Sequence, residues 1–394
     1  MSDPERPNRI SRRHGAIVLD DEGHALAKKH ELLCSRKHAA TVVDDRLRKW
    51  VDSSEDVRGA GIVRIRLNKR ARVDLRKVTA DLEPYARVAP NLIYTGEPAW
   101  NGGPSGPPTQ PSRKPRPPRA PSPGAKHATA AVLDTGISAH PWFTDRDWFA
   151  DCGPANAEEY DADLDFELDS QAGHGTFVTG LLLHRAPDAH VTPVRVLSSD
   201  GVCDELELIK AIADLRPRKS GGIDVLNLSL GGYTHDDRPS PLLLEALHAL
   251  GPKTVVVAAA GNQGTERPFW PAAANSVIAV GALEEAGGEP AHFSNHGFWV
   301  DACAPGQDVS SSFVWFNGPD VDTGAGDTDE DLFLGYADWS GTSFAAPQVA
   351  GAIAGICAKQ GVDAPEAARI LLDPSKHSYV PDLGLAVLEP RRTR

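Results

Sequence analysis

The chain has 394 residues, is 41% hydrophobic and carries a net charge of −13 at pH 7, enough for one large domain plus a smaller one. Its charge is divided: residues 1–126 hold 25 Lys/Arg against 15 Asp/Glu and residues 127–394 hold 16 against 39, leaving the front near +10 and the body near −23. The acidic balance argues against nucleic acid as the main partner. It suits a body that draws basic substrates or holds the basic front part against itself.

Five scattered cysteines (Cys34, Cys152, Cys203, Cys303, Cys357) form no CxxC pair and an odd count. They predict reduced thiols in a reducing compartment, neither a zinc site nor a disulfide framework. The first residues lack an apolar signal region, and no stretch reaches the roughly 18 apolar residues of a membrane span. The expectation is a cytoplasmic chain with no membrane and no nucleic-acid partner.

Taken in order, residues 1–60 are polar, and Leu26, Leu32, Leu33, Val42, Val43, Leu47 and Trp50 recur at rough helical spacing, which predicts a partly helical segment. Gly61 to Leu67 alternates like a strand, Val73 to Leu82 reads as a helix, and Arg87 to Tyr94 as extended chain. This small α+β region ends near residue 100. Residues 101–126 are Pro/Gly-rich and basic with no acidic residue, predicting an extended, exposed linker open to proteolytic nicking.

Beyond the linker, residues 127–390 read as an α/β domain. Apolar runs at Ala130 to Leu133, His190 to Leu197, Ile223 to Leu230, Thr254 to Ala260 and Ser276 to Val280 alternate with helix-like segments at Phe177 to His184, Glu205 to Leu215 and Leu242 to Leu250. Such alternation predicts a mostly parallel sheet covered on both faces, with a site at the carboxyl ends of its strands.

Four residues fall where that architecture puts a site. Asp134 ends the first strand, His174 precedes an apolar helix in Gly-His-Gly-Thr, Asn262 follows a strand ending in Gly261, and Ser343 opens the Ala/Gly-rich helix of SGTSFAAPQVAG. Pro347 is compatible with the first turn of that helix, where its missing donor costs nothing. A hydroxyl nucleophile, an imidazole base, a carboxylate to orient it and an amide donor for the oxyanion are together the requirements of acyl transfer. Each residue alone also has a structural reading: a capped turn, a loop histidine, a left-handed asparagine, a packed serine.

The segments AVLDTGI, GHGTFVTG, AAAGN and SGTSFAAPQVAG, in that order, together with NLSLGG at 227–232, SVIAVGA at 276–282 and FSNHGFWVDACAPG at 293–306, resemble the subtilases, the subtilisin-like serine peptidases. The likeness covers about residues 127–358. It implies a three-layer α/β sandwich and peptide-bond hydrolysis through an acyl-enzyme on Ser343, with Asp134 orienting His174 and with Asn262 beside the Ser343 amide in the oxyanion hole. It further implies that Ser229, Leu230 and Gly231 pair with the substrate backbone, that Ala259, Ala260 and Gly261 line the primary pocket, and that Phe269 stands at its far wall. Substrates would be proteins or peptides, no cofactor is implied, and residues 1–100 would be an intramolecular pro-segment or an adaptor. Val88-Ala89-Pro90-Asn91 is similar to a family junction between pro-segment and mature chain.

Departures from the family pattern bear on metals. The passage after His174 lacks the insertion that forms a tight calcium site in many members, so no metal is expected there. The connection from Asp134 to His174 is long and acidic, with Asp145, Asp147, Asp151, Glu158, Glu159, Asp161, Asp163, Asp165, Glu167 and Asp169, and reads as a solvated loop, a selector of basic substrates or a loose calcium site, a reading that also covers Asp320 to Asp331. A second Asp-Thr-Gly at Asp322 leaves an aspartic dyad as a remote alternative. A silent peptide-binding module is the other.

Overall fold

The computed structural model describes residues 14–388 apart from 71–72, 97–105, 123, 125, 163, 165, 218–220, 285–287, 319–320, 323–327 and 330–331. Asp163 and Asp165 of the acidic connection and much of the acidic stretch 320–331 therefore lie outside the described residues, as do residues 97–100 of the front region.

The front region is built on antiparallel strands β1 (Ala16–Val18), β2 (Leu26–Ser35), β3 (Val51–Val57), β4 (Ile62–Leu67) and β5 (Val88–Gly96), with helix α1 (Leu75–Leu82) before β5. The Asp74 carboxylate caps α1 by accepting from Arg76 N at 3.0 Å. The partly helical reading of residues 1–60 holds for a stretch of helical turns over residues 36–46, which includes Val42 and Val43, and is corrected for Leu26, Leu32 and Leu33, which lie on a strand. Leu32, Leu33 and Cys34 are all fully buried. A short run covered on both faces carries no period-2 signature and mimics helical spacing.

The body centres on an eight-stranded sheet. Its strands are β6 (Thr129–Asp134), β7 (His190–Arg195), β9 (Val225–Leu228), β11 (Val255–Ala259), β12 (Val277–Glu284), β13 (Ala302–Gln307), β16 (Tyr379–Val380) and β17 (Gly384–Ala386), in the order β16-β17-β13-β12-β11-β9-β6-β7. Every pairing is parallel except β16 with β17.

Alternate residues of these strands enter two apolar layers, as strand geometry demands. Ala130, Val132, Val225, Val257 and Ala259 pack with helices α2 (His174–Arg185) and α5 (Thr342–Gln360) on one face. Ala131, Leu133, Leu226, Leu228 and Ala258 pack with α3 (Glu205–Asp214) and α4 (Pro241–His248) on the other. The second layer is continuous with the front region's core, through Leu32, Leu33, Ile65 and Val88. The fold is therefore the expected three-layer α/β sandwich with an α+β unit docked on one face.

The linker is exposed over most of its described length, but it is strapped down. Thr109 pairs with Asp338 on β15 (Leu332–Trp339), which forms a hairpin with β14 (Val309–Asn317), and Trp339 Nε1 donates to the Gly106 carbonyl at 2.9 Å.

Candidate active site

Strand β6 ends at Asp134, and Gly173 caps α2 with φ of 82°, so the chain turns sharply to start a helix on His174. Close approach is built in: a Cβ on Gly175 would sit 2.2 Å from the Gly136 carbonyl oxygen. As a result Asp134 Oδ1 accepts from His174 Nδ1 at 2.7 Å and from the Thr135 amide at 2.8 Å, in a site where both side chains are essentially inaccessible to solvent. A carboxylate at Nδ1 fixes the orientation of the imidazole so that Nε2 faces away from Asp134. Trp339 meets the imidazole edge-on at 5.5 Å and Phe344, the residue after Ser343, lies 5.3 Å from it.

Ser343 is the second residue of α5 and is fully buried. Its hydroxyl donates to the Ser229 carbonyl at 3.1 Å, while Ser229 Oγ donates to the Ser343 carbonyl at 2.8 Å. The second bond corrects the reading of Pro347. That proline stands at the sixth residue of the helix, not in its first turn, and its missing N–H leaves the Ser343 carbonyl without the usual i+4 donor. Ser229 supplies one instead.

Asn262 Oδ1 accepts from the Thr342 amide at 2.9 Å, and the Thr342 hydroxyl accepts from Gly261 N at 3.0 Å. Because a backbone N–H only donates, this bond assigns the amide orientation of Asn262. It leaves Asn262 Nδ2 buried with no hydrogen-bond partner among the described residues. Ala259, Ala260 and Gly261 are buried at the end of β11, and the Phe269 ring stands against both glycines: a Cβ on Gly231 would meet it at 2.2 Å and one on Gly261 at 3.1 Å.

The Leu230–Gly231 strand, β10, is already paired. Strand β5 runs antiparallel to it, with Gly96 opposite Leu230 and Thr95 opposite Gly231. On its other side β5 pairs with β8 (Val202–Asp204), Ile93 opposite Asp204, Tyr94 opposite Cys203 and Thr95 opposite Val202. Gly96 N donates to the Gly201 carbonyl at 2.7 Å. The segment Val88-Ala89-Pro90-Asn91 lies inside this buried strand.

One residue that shapes this site escaped the sequence reading. Glu158, within the acidic connection, is turned inward: it accepts from the Thr135 hydroxyl, from Gly173 N at 2.9 Å and from Thr176 Oγ1 at 2.7 Å. It thus ties the strand end bearing Asp134 to the helix start bearing His174. Burial pushes its carboxyl up to about 7, helped by the neighbouring Asp134 charge and opposed by these hydrogen bonds. The threonines that follow Asp134 and His174 at +1 and +2 are the available signal. Among the described residues no group of three or more His, Cys, Asp or Glu is placed to hold a metal ion, and no helix is long and apolar enough to cross a membrane.

A parallel α/β sandwich with a buried Asp134–His174 pair, a helix-borne Ser343 and the unpaired Asn262 amide has the chemical groups that a serine hydrolase needs. Residues 125–378 match the model of the subtilase family, peptidase S8, and the chain belongs to that family. It is 34% identical over 253 residues to a thermophilic serine proteinase of Bacillus sp. (strain AK1), covering 60% of this chain and 54% of that protein. It is 35% identical to subtilisin BL of Lederbergia lenta, covering 57% of this chain and 74% of that one. The chain thus spans about half the length of the first of these relatives. Among solved structures, fervidolysin from Fervidobacterium pennivorans, a keratinolytic enzyme related to subtilisin, superposes with a TM-score of 0.61 at 20% identity over 92% of this chain and 60% of that one.

Proposed function

We propose that this protein is a serine endopeptidase that cleaves peptide bonds through an acyl-enzyme on Ser343. The observation that carries the reading is the buried 2.7 Å bond between His174 Nδ1 and Asp134 in a chain that also leaves the Asn262 amide donor unpaired next to Ser343. In the reaction, Ser343 Oγ turns from the Ser229 carbonyl, gives its proton to His174 Nε2 and attacks the carbonyl carbon. Asp134 stabilises the imidazolium, while Asn262 Nδ2 and the Ser343 amide take the oxyanion. His174 then protonates the leaving amine, and water repeats the sequence to release the acid. Peptide or protein substrates are bound as a strand between β8 and β10.

The same reading makes residues 1–100 an intramolecular pro-segment rather than an adaptor. What favours it is that β5 takes the place a substrate strand would occupy. Cleavage then falls in the stretch that joins Gly96 to the docked linker at Gly106, and not at Val88–Asn91.

A fluorophosphonate probe tests the chemistry. Labelling of the wild type and its loss in Ser343→Ala and His174→Ala are expected; no labelling of the intact chain, and none after the linker is cut, overturns the enzyme. Mass spectrometry tests the pro-segment: a new N-terminus between residues 97 and 106 is expected in the wild type and not in Ser343→Ala, and identical termini in both exclude self-maturation.

A further inference from the structure

Strand β5 carries one side chain that backbone pairing alone does not require. Tyr94 is 1% exposed, and its hydroxyl donates to Glu205 Oε2 at 2.9 Å. Glu205, the first residue of α3, is itself fully buried, and its other oxygen accepts from Ser240 Oγ, just before α4, at 2.6 Å. The start of this pocket is also pinned to β5 by Asn91 Oδ1, which accepts from the Leu206 amide at 3.2 Å. Gly232 flanks the tyrosine ring: a Cβ there would stand 3.3 Å from its Cδ1.

We infer that this pocket is a tyrosine-selective subsite: it takes a phenol side chain from whichever strand lies between β8 and β10, at the position opposite Cys203, and Tyr94 is its resident occupant. The inference rests on the reading of that groove as a peptide-binding one, and it adds the residue that decides the choice. An apolar pocket closed by main chain would accept phenylalanine, leucine or tyrosine with small differences. A carboxylate at its floor changes the ranking. Phenylalanine removes the Tyr94 donor from a group that has no access to water, and a buried acceptor that loses its partner costs more than the bond was worth. Sites built to meet a substrate hydroxyl reject the analogue lacking it far more strongly than apolar slots reject a missing methylene. Burial pushes the Glu205 carboxyl up to about 7 against the lowering effect of the Ser240 and Tyr94 hydrogen bonds, in keeping with a group that depends on those two donors.

Two measurements on the full chain test this. In the first, hydrogen exchange of the Thr95 and Gly96 amides reports how firmly β5 is held; Tyr94→Phe should speed it about tenfold, and should add nothing once Glu205→Leu is present. In the second, Ser343→Ala combined with Tyr94→Gly vacates the pocket, and fluorescent peptides Ile-X-Thr-Gly, matching residues 93–96, compete for it with X as Tyr, Phe or Lys. Tyr should bind about tenfold or more tightly than Phe, a preference that disappears with Glu205→Leu. Equal binding of Tyr and Phe, tighter binding of Lys, or unchanged exchange in Tyr94→Phe overturns the subsite while leaving the endopeptidase standing. Selective peptide binding without fluorophosphonate labelling would do the reverse.

Discussion

Asn262 Oδ1 holds the Thr342 amide at 2.9 Å, one residue before Ser343, and this bond aims the Nδ2 end of the same side chain at nothing in the described fold. A buried N–H without a partner costs about 1–3 kcal/mol. Its persistence beside Ser343 makes sense if a charge develops there during reaction. Asn262→Ala should therefore lower kcat by about 10²–10³ while KM changes little, because the lost interaction exists only in the transition state. Steady-state kinetics on a peptide substrate check this; a rise in KM at constant kcat would assign Asn262 to ground-state binding.

Two inward-turned carboxyls, Glu205 fully buried and Glu158 half-buried, should govern stability against pH. Glu158 and Glu205 ordinarily titrate near 4.5 and are each pushed up to about 7 by burial. A group whose folded value is raised stabilises fully below its unfolded value, and that contribution is lost as pH rises through the folded value. Stability should thus fall between about pH 4.5 and pH 7, each group accounting for up to about 3 kcal/mol. Glu158→Gln and Glu205→Gln keep most of the shape and cannot ionise, so each should flatten the decline in Tm between pH 5 and pH 8 by several degrees. Scanning calorimetry decides; variants that track the wild type at every pH would place the ionisation elsewhere.

The front region is held to the body by Arg267. This half-hidden guanidinium reaches Asp20 at 2.7 Å, Glu22 at 3.0 Å, Asp237 at 2.7 Å and the Thr234 carbonyl at 2.6 Å, and lies 5.0 Å over the Tyr233 ring. Arg267→Ala removes the cation beside the Asp20 carboxylate, whose side chain is only 9% exposed and which keeps only the His24 and Ala25 amides among these donors, and should cost about 1–3 kcal/mol. Arg267→Lys should recover little of it, since one ammonium cannot reproduce the planar fork. The sensitive readout is limited proteolysis of residues 14–96 from the body, which should quicken in both variants. If only Arg267→Ala is affected, charge rather than geometry is the cause.

Much of this was legible in the residues themselves. Strand ends are marked by Asp134 and by Gly261-Asn262, and helix starts by Gly173-His174 and Gly341-Thr342-Ser343, because such turns need glycines and short apolar runs that local chemistry specifies. What stayed hidden was non-local. Nothing near Tyr94 in the chain announces that it meets Glu205, 111 residues on, and nothing near Glu158 separates it from the acidic residues around it until Thr135 and Thr176 close over it. Strand β2 was obscured for a related reason, since burial on both faces over Leu32 to Ser35 erases the alternation by which a strand is recognised.

The reciprocal bonds between Ser229 and Ser343 give a test of how Pro347 shapes the helix turn that carries Ser343. Proline at this position deletes the N–H that would bond the Ser343 carbonyl, and Ser229 Oγ fills the vacancy at 2.8 Å while itself accepting from Asn227 Nδ2 at 3.0 Å. In the wild type, Ser229→Ala leaves a buried carbonyl unmatched and should cost about 1–3 kcal/mol. Pro347→Ala restores the helical donor, and a carbonyl can accept from both, so alone it should change stability by less than about 1 kcal/mol. Combined, the two substitutions should be less harmful than their separate effects suggest, by about 1 kcal/mol of coupling in a double-mutant cycle read by denaturant unfolding. Strict additivity would mean that the Ser343 carbonyl never depended on Ser229. The same cycle read by kinetics isolates the effect on position, because only changes that move Ser343 Oγ relative to His174 alter kcat.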